Sequence, residues 1–330
     1  MEYRILGESN LKLSAITYGA WAIGGWMWGG AERKDAIEAI QSSYNLGVTS
    51  IDTAPVYGQG VSEEIVGEAI KNISRDKIQI LTKYGMRWDT NKGEYFFSTK
   101  DSSGKETKFH KYSGKESVML ECESSLKRLG TDYIDLYQIH WNDSTTPIEE
   151  TMEAVSRLIE QGKVRHAGVC NYNTEWMQTA EKVLKLVSNQ VPFSMVNRGI
   201  ENDVVPYCIK NKKSILAYSP LQKGLLTGKI NSVYKFNEGD HRAEDKYFSA
   251  ENVNKINEFL ETIKPLATSK NVTIAQLVIR WTIERPGITI ALVGARNRQQ
   301  AEQNAKAIDV RLSPAEIDFI NKNLYELSIN

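Results

Sequence analysis

The chain has 330 residues, 41 Lys and Arg against 41 Asp and Glu, and a hydrophobic fraction of 41%. That neutral balance gives no electrostatic reason to expect nucleic acid or an anionic membrane as a partner, and no apolar run is long enough to span a bilayer. The composition is that of an ordinary globular protein, and the length suits one large α/β barrel occupying residues 1–330 as a single domain. The opening Met1-Glu-Tyr-Arg-Ile-Leu6 lacks the apolar core of a secretory signal. Three widely spaced cysteines, Cys122, Cys170 and Cys208, give neither a disulfide framework nor a metal knuckle. Reduced thiols, a cytoplasmic location and no metal are therefore expected.

Taken in chain order, Tyr3–Ile5 and Leu11–Leu13 around Gly7-Glu-Ser-Asn10 read as a β-hairpin placed to plug a barrel floor. Ala15–Gly19 reads as a first strand. Amphipathic and apolar runs then alternate. Helices are predicted over Arg33–Leu46, Ser62–Ile70, Lys115–Leu129, Ile148–Gln161, Thr174–Leu186, Val204–Lys210 and Thr273–Arg285. Strands are predicted over Val48–Asp52, Ile78–Lys83, Tyr133–His140, Val164–Val169, Val191–Val196, Ser214–Ser219 and Thr289–Val293. Eight strand–helix repeats predict a closed parallel (β/α)8 barrel rather than an open sheet. Thr146 before Pro147 reads as a helix cap, and Gly130 and Gly162 as helix ends. Two polar stretches, Gly85–Ser113 and Leu221–Ser249, break the rhythm and are expected to be functional loops. Ser313–Leu324 reads as a last helix.

Three strand ends carry polar groups where the barrel mouth should lie. Asp52 ends the second strand, Lys83 the third and His140 the fourth, with Tyr57 in the turn after Asp52. Alternation along a strand puts each beside an inward-facing neighbour. A lysine at the end of an apolar strand is costly to bury alone, and Asp52 next door is its natural partner. An ammonium near Tyr57 favours tyrosinate and is expected to lower the phenol from its ordinary value of about 10. His140 is placed to hydrogen-bond a substrate carbonyl. Such a set suits protonation of an oxygen as charge develops on it. Hydride must come from elsewhere, which implies a nicotinamide cofactor.

Asp52-Thr-Ala-x-x-Tyr57-Gly58, Lys83, Asp135-Leu-Tyr-Gln-Ile-His140-Trp141, the Gly162–Val169 stretch and Tyr218-Ser-Pro-Leu221 resemble the aldo-keto reductases over nearly the whole chain. Ala20-Trp21-Ala-Ile-Gly-Gly-Trp26-Met-Trp28 looks most like the bacterial general-stress, NADPH-dependent branch. The resemblance implies a (β/α)8 barrel with extra helices, Tyr57 as general acid, Lys83 and Asp52 tuning it, and His140 orienting the carbonyl.

For the cofactor, Asn171 after strand five and Gln190 before strand six are amides suited to a carboxamide. Tyr218 offers a flat face for the nicotinamide. Ser219, Pro220, Leu221, Lys223, Gly224 and Lys229 form a candidate pyrophosphate strap. No Gly-x-Gly-x-x-Gly follows the first strand, so Rossmann binding is not expected. Arg296 and Arg298 open a helix, whose amide end favours an anion, and two guanidinium groups there suit a 2′-phosphate. NADP(H) is accordingly preferred over NAD. By resemblance Gln300 and Asn304 face the adenosine end. Cys170 stands where the family usually has serine, and Gly294 where many relatives carry a phosphate-binding lysine. Trp21 and Arg242 complete the cofactor set.

Trp26, Trp28, Trp88 and Trp141 fall on mouth loops and are expected to wall a pocket for a small-molecule aldehyde, ketone or sugar. One alternative is an NADP-binding regulatory subunit of the same fold, like potassium-channel β subunits, which lack the histidine present here as His140. A second is a lyase using Lys83 for a Schiff base, disfavoured because Asp52 would keep that amine protonated. The sequence carries no signal for an oligomeric state.

Overall fold

The computed structural model describes residues 1–25, 30–100, 104, 106–236 and 240–329. Strands β1 (Tyr3–Ile5) and β2 (Lys12–Ser14) pair antiparallel as the expected hairpin. Then follow β3 (Ile16–Gly19), α1 (Arg33–Asn45), β4 (Ser50–Asp52), α2 (Val61–Ile70) and β5 (Gln79–Tyr84). Three strands come next: β6 (Met86–Arg87), β7 (Glu94–Lys100) and β8 (Glu106–Lys111). The remainder runs α3 (Lys115–Leu129), β9 (Ile134–Ile139), α4 (Ile148–Glu160), β10 (Val164–Cys170), α5 (Thr174–Ala180), β11 (Leu186–Pro192), α6 (Val204–Lys210) and β12 (Ser214–Tyr218). It ends α7 (Ala250–Ser269), α8 (Ile274–Glu284), β13 (Ile288–Gly294), α9 (Arg298–Lys306) and α10 (Pro314–Glu326).

The strands β3, β4, β5, β9, β10, β11, β12 and β13 pair parallel in that order and close into a barrel. This is the (β/α)8 barrel that the alternation predicts. Its interior is layered. Leu81, Leu136, Leu216 and Ile290 point inward near the floor and pack against Leu6, Leu11 and Leu13 of the hairpin. Two residues further along two of these strands the inward positions turn polar, with Lys83 and Gln138 directly above Leu81 and Leu136. The wider apolar layer lies between the strands and the helices.

Several sequence-based boundaries move. The fifth helix stops at Ala180 and the next strand begins at Leu186, not Val191. Alternation through Leu186-Val-Ser-Asn-Gln190 wins over helix periodicity there, which brings Gln190 inside the barrel wall. Pro147 rather than Thr146 stands at the start of α4, and the Thr146 hydroxyl instead donates to Asp143 Oδ2 at 2.6 Å. Gly130 caps α3 with φ +63°, as its position suggests. Helix α7, which follows the second long stretch, is absent from the sequence reading. The first long stretch is no loop: β6, β8 and β7 form a separate antiparallel sheet, a ribbon standing off the barrel mouth.

Candidate active site

Tyr57 lies in the turn after β4. Its neighbour Gly58 has φ +64°, and a Cβ there would lie 2.0 Å from the Gly24 carbonyl oxygen. Only glycine fits that contact, so the turn is pressed onto the loop after β3. Lys83 is fully buried and donates from Nζ to Asp52 Oδ1 at 2.6 Å, to the Thr53 carbonyl at 2.9 Å and to the Tyr57 hydroxyl at 3.2 Å. Asp52 Oδ2 accepts from Gln190 Nε2 at 2.7 Å and from Gln138 Nε2 at 3.4 Å. Both carboxylate oxygens are therefore committed, and the ammonium is held in one place.

His140 stands one residue past β9. Its backbone amide donates to the Tyr84 carbonyl at 2.9 Å, and Asn171 Nδ2 donates to the His140 carbonyl at 3.1 Å. The imidazole meets the Tyr57 ring edge-on, centroids 5.7 Å apart. The structure thus gathers Asp52, Tyr57, Lys83 and His140 at one mouth.

Their electrostatics depart from the sequence expectation at one point. Burial pushes the Tyr57 phenol up, and the Lys83 ammonium draws it back only part of the way, leaving it at about 12. The net shift is upward because loss of water costs the phenolate more than one cation returns. Burial opposes the charge on Lys83, yet Asp52 holds it above its ordinary range. Burial, with Lys83 second, drives His140 well below its usual value, so its imidazole is neutral near pH 7.

A cleft of about 830 Å³ opens over this set. Asn171, in a left-handed backbone conformation, accepts from the Tyr218 hydroxyl at 3.0 Å on Oδ1. Cys170 and Gln190 line the cleft beside them, with burial pushing the Cys170 thiol up. The cleft continues past Ser219, Pro220, Leu221, Lys223, Gly224 and Lys229, and then Arg242. Its far end is Gly294, Arg296, Gln300 and Asn304, and Trp21 forms part of the near wall. Every residue of the expected cofactor set except Arg298 lines this one space. Gln300 Oε1 accepts from the Arg296 amide at 3.0 Å, and Asn304 Nδ2 donates to the Gly294 carbonyl at 2.9 Å.

Arg298 does not join them. It is an exposed residue of α9, paired with Glu302 at 2.6 Å and Glu38 at 3.5 Å. Arg298 opens α9 while Arg296 lies before it, and Arg242 is the guanidinium close enough to influence Arg296 instead. Among the tryptophans, Trp141 lines the cleft. Trp88 does not; it packs against the apolar cluster of Ala54, Val56, Met86 and Phe109. Trp26 and Trp28 lie outside the described residues. Phe96 and Phe97 of β7 line the cleft and escaped the sequence reading, although the Phe-Phe pair in a β-rich run was a visible signal.

A parallel eight-stranded barrel with a phenol, an ammonium, a carboxylate and an imidazole at its mouth has the architecture of a barrel oxidoreductase. The chain belongs to the aldo/keto reductase family, whose model matches residues 15–324. It is 39% identical over 307 residues to the aldo-keto reductase YhdN of Bacillus subtilis, covering 92% of this chain and 87% of that one. It is 35% identical to the NADH-specific methylglyoxal reductase of Escherichia coli, covering 96% of each. Among solved structures, the glycerol dehydrogenase AKR11B4 from Gluconobacter oxydans superposes with a TM-score of 0.88 at 33% identity, over 99% of this chain and 96% of that one.

Proposed function

We propose that this chain is an NADP-dependent carbonyl reductase that moves hydride between the nicotinamide and an aldehyde, ketone or sugar carbonyl, with alcohol oxidation as the reverse. The observation that carries this reading is the Tyr57 hydroxyl 3.2 Å from the Lys83 ammonium, with His140 beside it at the inner end of the cleft. A phenol at about 12 keeps its proton at neutral pH and has one to give. As negative charge grows on a carbonyl oxygen, Tyr57 hands it that proton. Lys83 then stabilises the tyrosinate left behind, and Asp52 keeps Lys83 charged. Neutral His140 donates a hydrogen bond to the same oxygen and fixes its direction.

The cleft fits a nicotinamide dinucleotide, which when bound supplies the hydride. Asn171 and Gln190 offer amides to the carboxamide, Tyr218 a flat face to the ring, and Arg242 with Arg296 cations to a terminal phosphate. Two neighbouring guanidinium groups favour the doubly charged 2′-phosphate of NADP over a ribose hydroxyl. A Schiff-base role for Lys83 is disfavoured, because three acceptors and a raised pKa leave its amine protonated. Unpaired Cys122, Cys170 and Cys208 favour a cytoplasmic setting, and the chain reads as one domain.

Tyr57→Phe tests the assignment. Turnover in an NADPH-oxidation assay should fall at least ~100-fold, the scale of general-acid catalysis, while cofactor affinity holds. Full activity in that variant would end the general-acid role.

A further inference from the structure

The cations that line the cleft are confined to one half of the barrel. The lining cations Lys223, Lys229, Arg242 and Arg296 sit on the segments after β12 and β13. They are tied together there: Lys223 pairs with Asp245 at 2.7 Å, and Arg242 Nη1 donates to the Lys223 carbonyl at 3.2 Å. The opposite half, over β4, β5 and β9, presents Val56, Met86, Phe96, Phe97 and Trp141. Among the described lining residues there, Asp52 of the tetrad is the only one that carries a charge.

Phe96 owes its place to an irregularity. In a regular strand, successive side chains face opposite ways, so Phe96 and Phe97 could not share a surface. Between Tyr95 and Phe97 the register of β7 against β8 shifts, with Tyr95 opposite His110 and Phe97 opposite Phe109. Two residues of β7 thus advance against one of β8, which is a β-bulge. The result is that both phenylalanines face the cleft, while Tyr95 is turned out to solvent. Phe96 meets Trp141 at a ring distance of 5.4 Å, and Phe97 stacks on Phe109 at 4.9 Å. The ribbon is latched in this position. Glu94 Oε1 accepts from Lys111 Nζ at 2.7 Å, and its Oε2 accepts from the Ser144 hydroxyl at 2.7 Å, beyond Trp141.

We propose that Phe96 selects the substrate: with Trp141, whose ring is tilted 55° to its own, it forms an apolar aromatic wall beside Tyr57 and His140 that favours an uncharged carbonyl compound with a planar aromatic or conjugated body. The inference rests on the carbonyl-reductase reading above. A ring slid against this wall gains stacking and burial, whereas a carboxylate or phosphate would lose its water beside cations already paired: Lys111, 4.8 Å over the Phe96 ring, with Glu94, and Lys83 with Asp52.

The test is NADPH oxidation by the full chain with benzaldehyde, propanal and 4-carboxybenzaldehyde, in wild type, Phe96→Ala and Phe96→Tyr. Wild type should prefer benzaldehyde to each of the others by about tenfold or more in kcat/KM. Phe96→Ala should lose about tenfold on benzaldehyde, mainly in KM, and only about twofold on propanal. Phe96→Tyr, which keeps the ring, should restore the benzaldehyde KM. Equal losses on benzaldehyde and propanal would overturn the proposal, as would weakened NADPH binding in Phe96→Ala, since either would make the ring a structural prop. A wild type that favours the carboxylated aldehyde would overturn it too. No turnover of any of the three by wild type would instead sink the carbonyl-reductase reading, and this inference with it.

Discussion

At the scale of single residues, the site is a chain of commitments. Asp52 is gripped on both oxygens, Lys83 gives all three protons, and Tyr57 is the hydroxyl partner of Lys83 that faces the cleft. The four polar residues were legible because strand alternation and strand ends are local signals. The direction of the Tyr57 shift was not, since it depends on how much water the fold removes, which no residue pattern records. The same limit separates Arg296 from Arg298: two residues apart in sequence, they face different surroundings once α9 forms. Cofactor choice belongs to this scale. Arg296→Ala should weaken NADPH binding by about tenfold or more, the worth of a charge-assisted contact, and leave NADH binding near its starting value. Titration by fluorescence with both cofactors checks it, and equal losses would remove the 2′-phosphate assignment.

Among elements, the ribbon is the part that sequence hid. Its run Glu94-Tyr-Phe-Phe-Ser-Thr-Lys100 is rich in strand formers, yet it is flanked by polar segments that read as loop, and a bulge breaks its alternation. Helix α7 was hidden for a similar reason, following a long irregular stretch. The root of the ribbon is held from behind by Glu121 of α3. Its carboxylate accepts from the Gly85 amide, at 3.2 Å to each oxygen, and lies 3.7 Å from Arg87. Burial pushes Glu121 up to about 7, against the pull of Arg87 and the Gly85 amide. In the unfolded chain the same group titrates near 4.5. Between those values the native protein holds a proton that the unfolded chain releases, so stability falls as pH rises through this window. Urea denaturation should find the wild type losing up to ~3 kcal/mol relative to Glu121→Gln between pH 5 and pH 8. A difference that stays constant over that range would mean that Glu121 ionises in the native protein as it does in the unfolded chain.

Taken whole, the molecule separates what holds it together from what it does. The barrel was readable because each strand–helix repeat is written locally. Closure needed only their number. The hairpin was readable as two strands, but its Leu6, Leu11 and Leu13 become a floor only when the barrel presents Leu81, Leu136, Leu216 and Ile290 to them. Leu13 is fully buried there. Leu13→Ala should cost about 2–5 kcal/mol in chemical denaturation and leave KM for substrate and cofactor near wild type. A shifted KM would mean that floor and mouth are mechanically joined.

The ribbon's ladder of hydrogen bonds runs among β6, β7 and β8 and forms a sheet of its own. The barrel strands therefore need nothing from Glu94–Lys111 to complete their pairing. A graft that replaced this hairpin with one of different length or chemistry would leave the eight-stranded wall whole. On the proposal that Phe96 selects the substrate, substrate choice is an accessory bolted to the frame, open to exchange without a change in the frame itself.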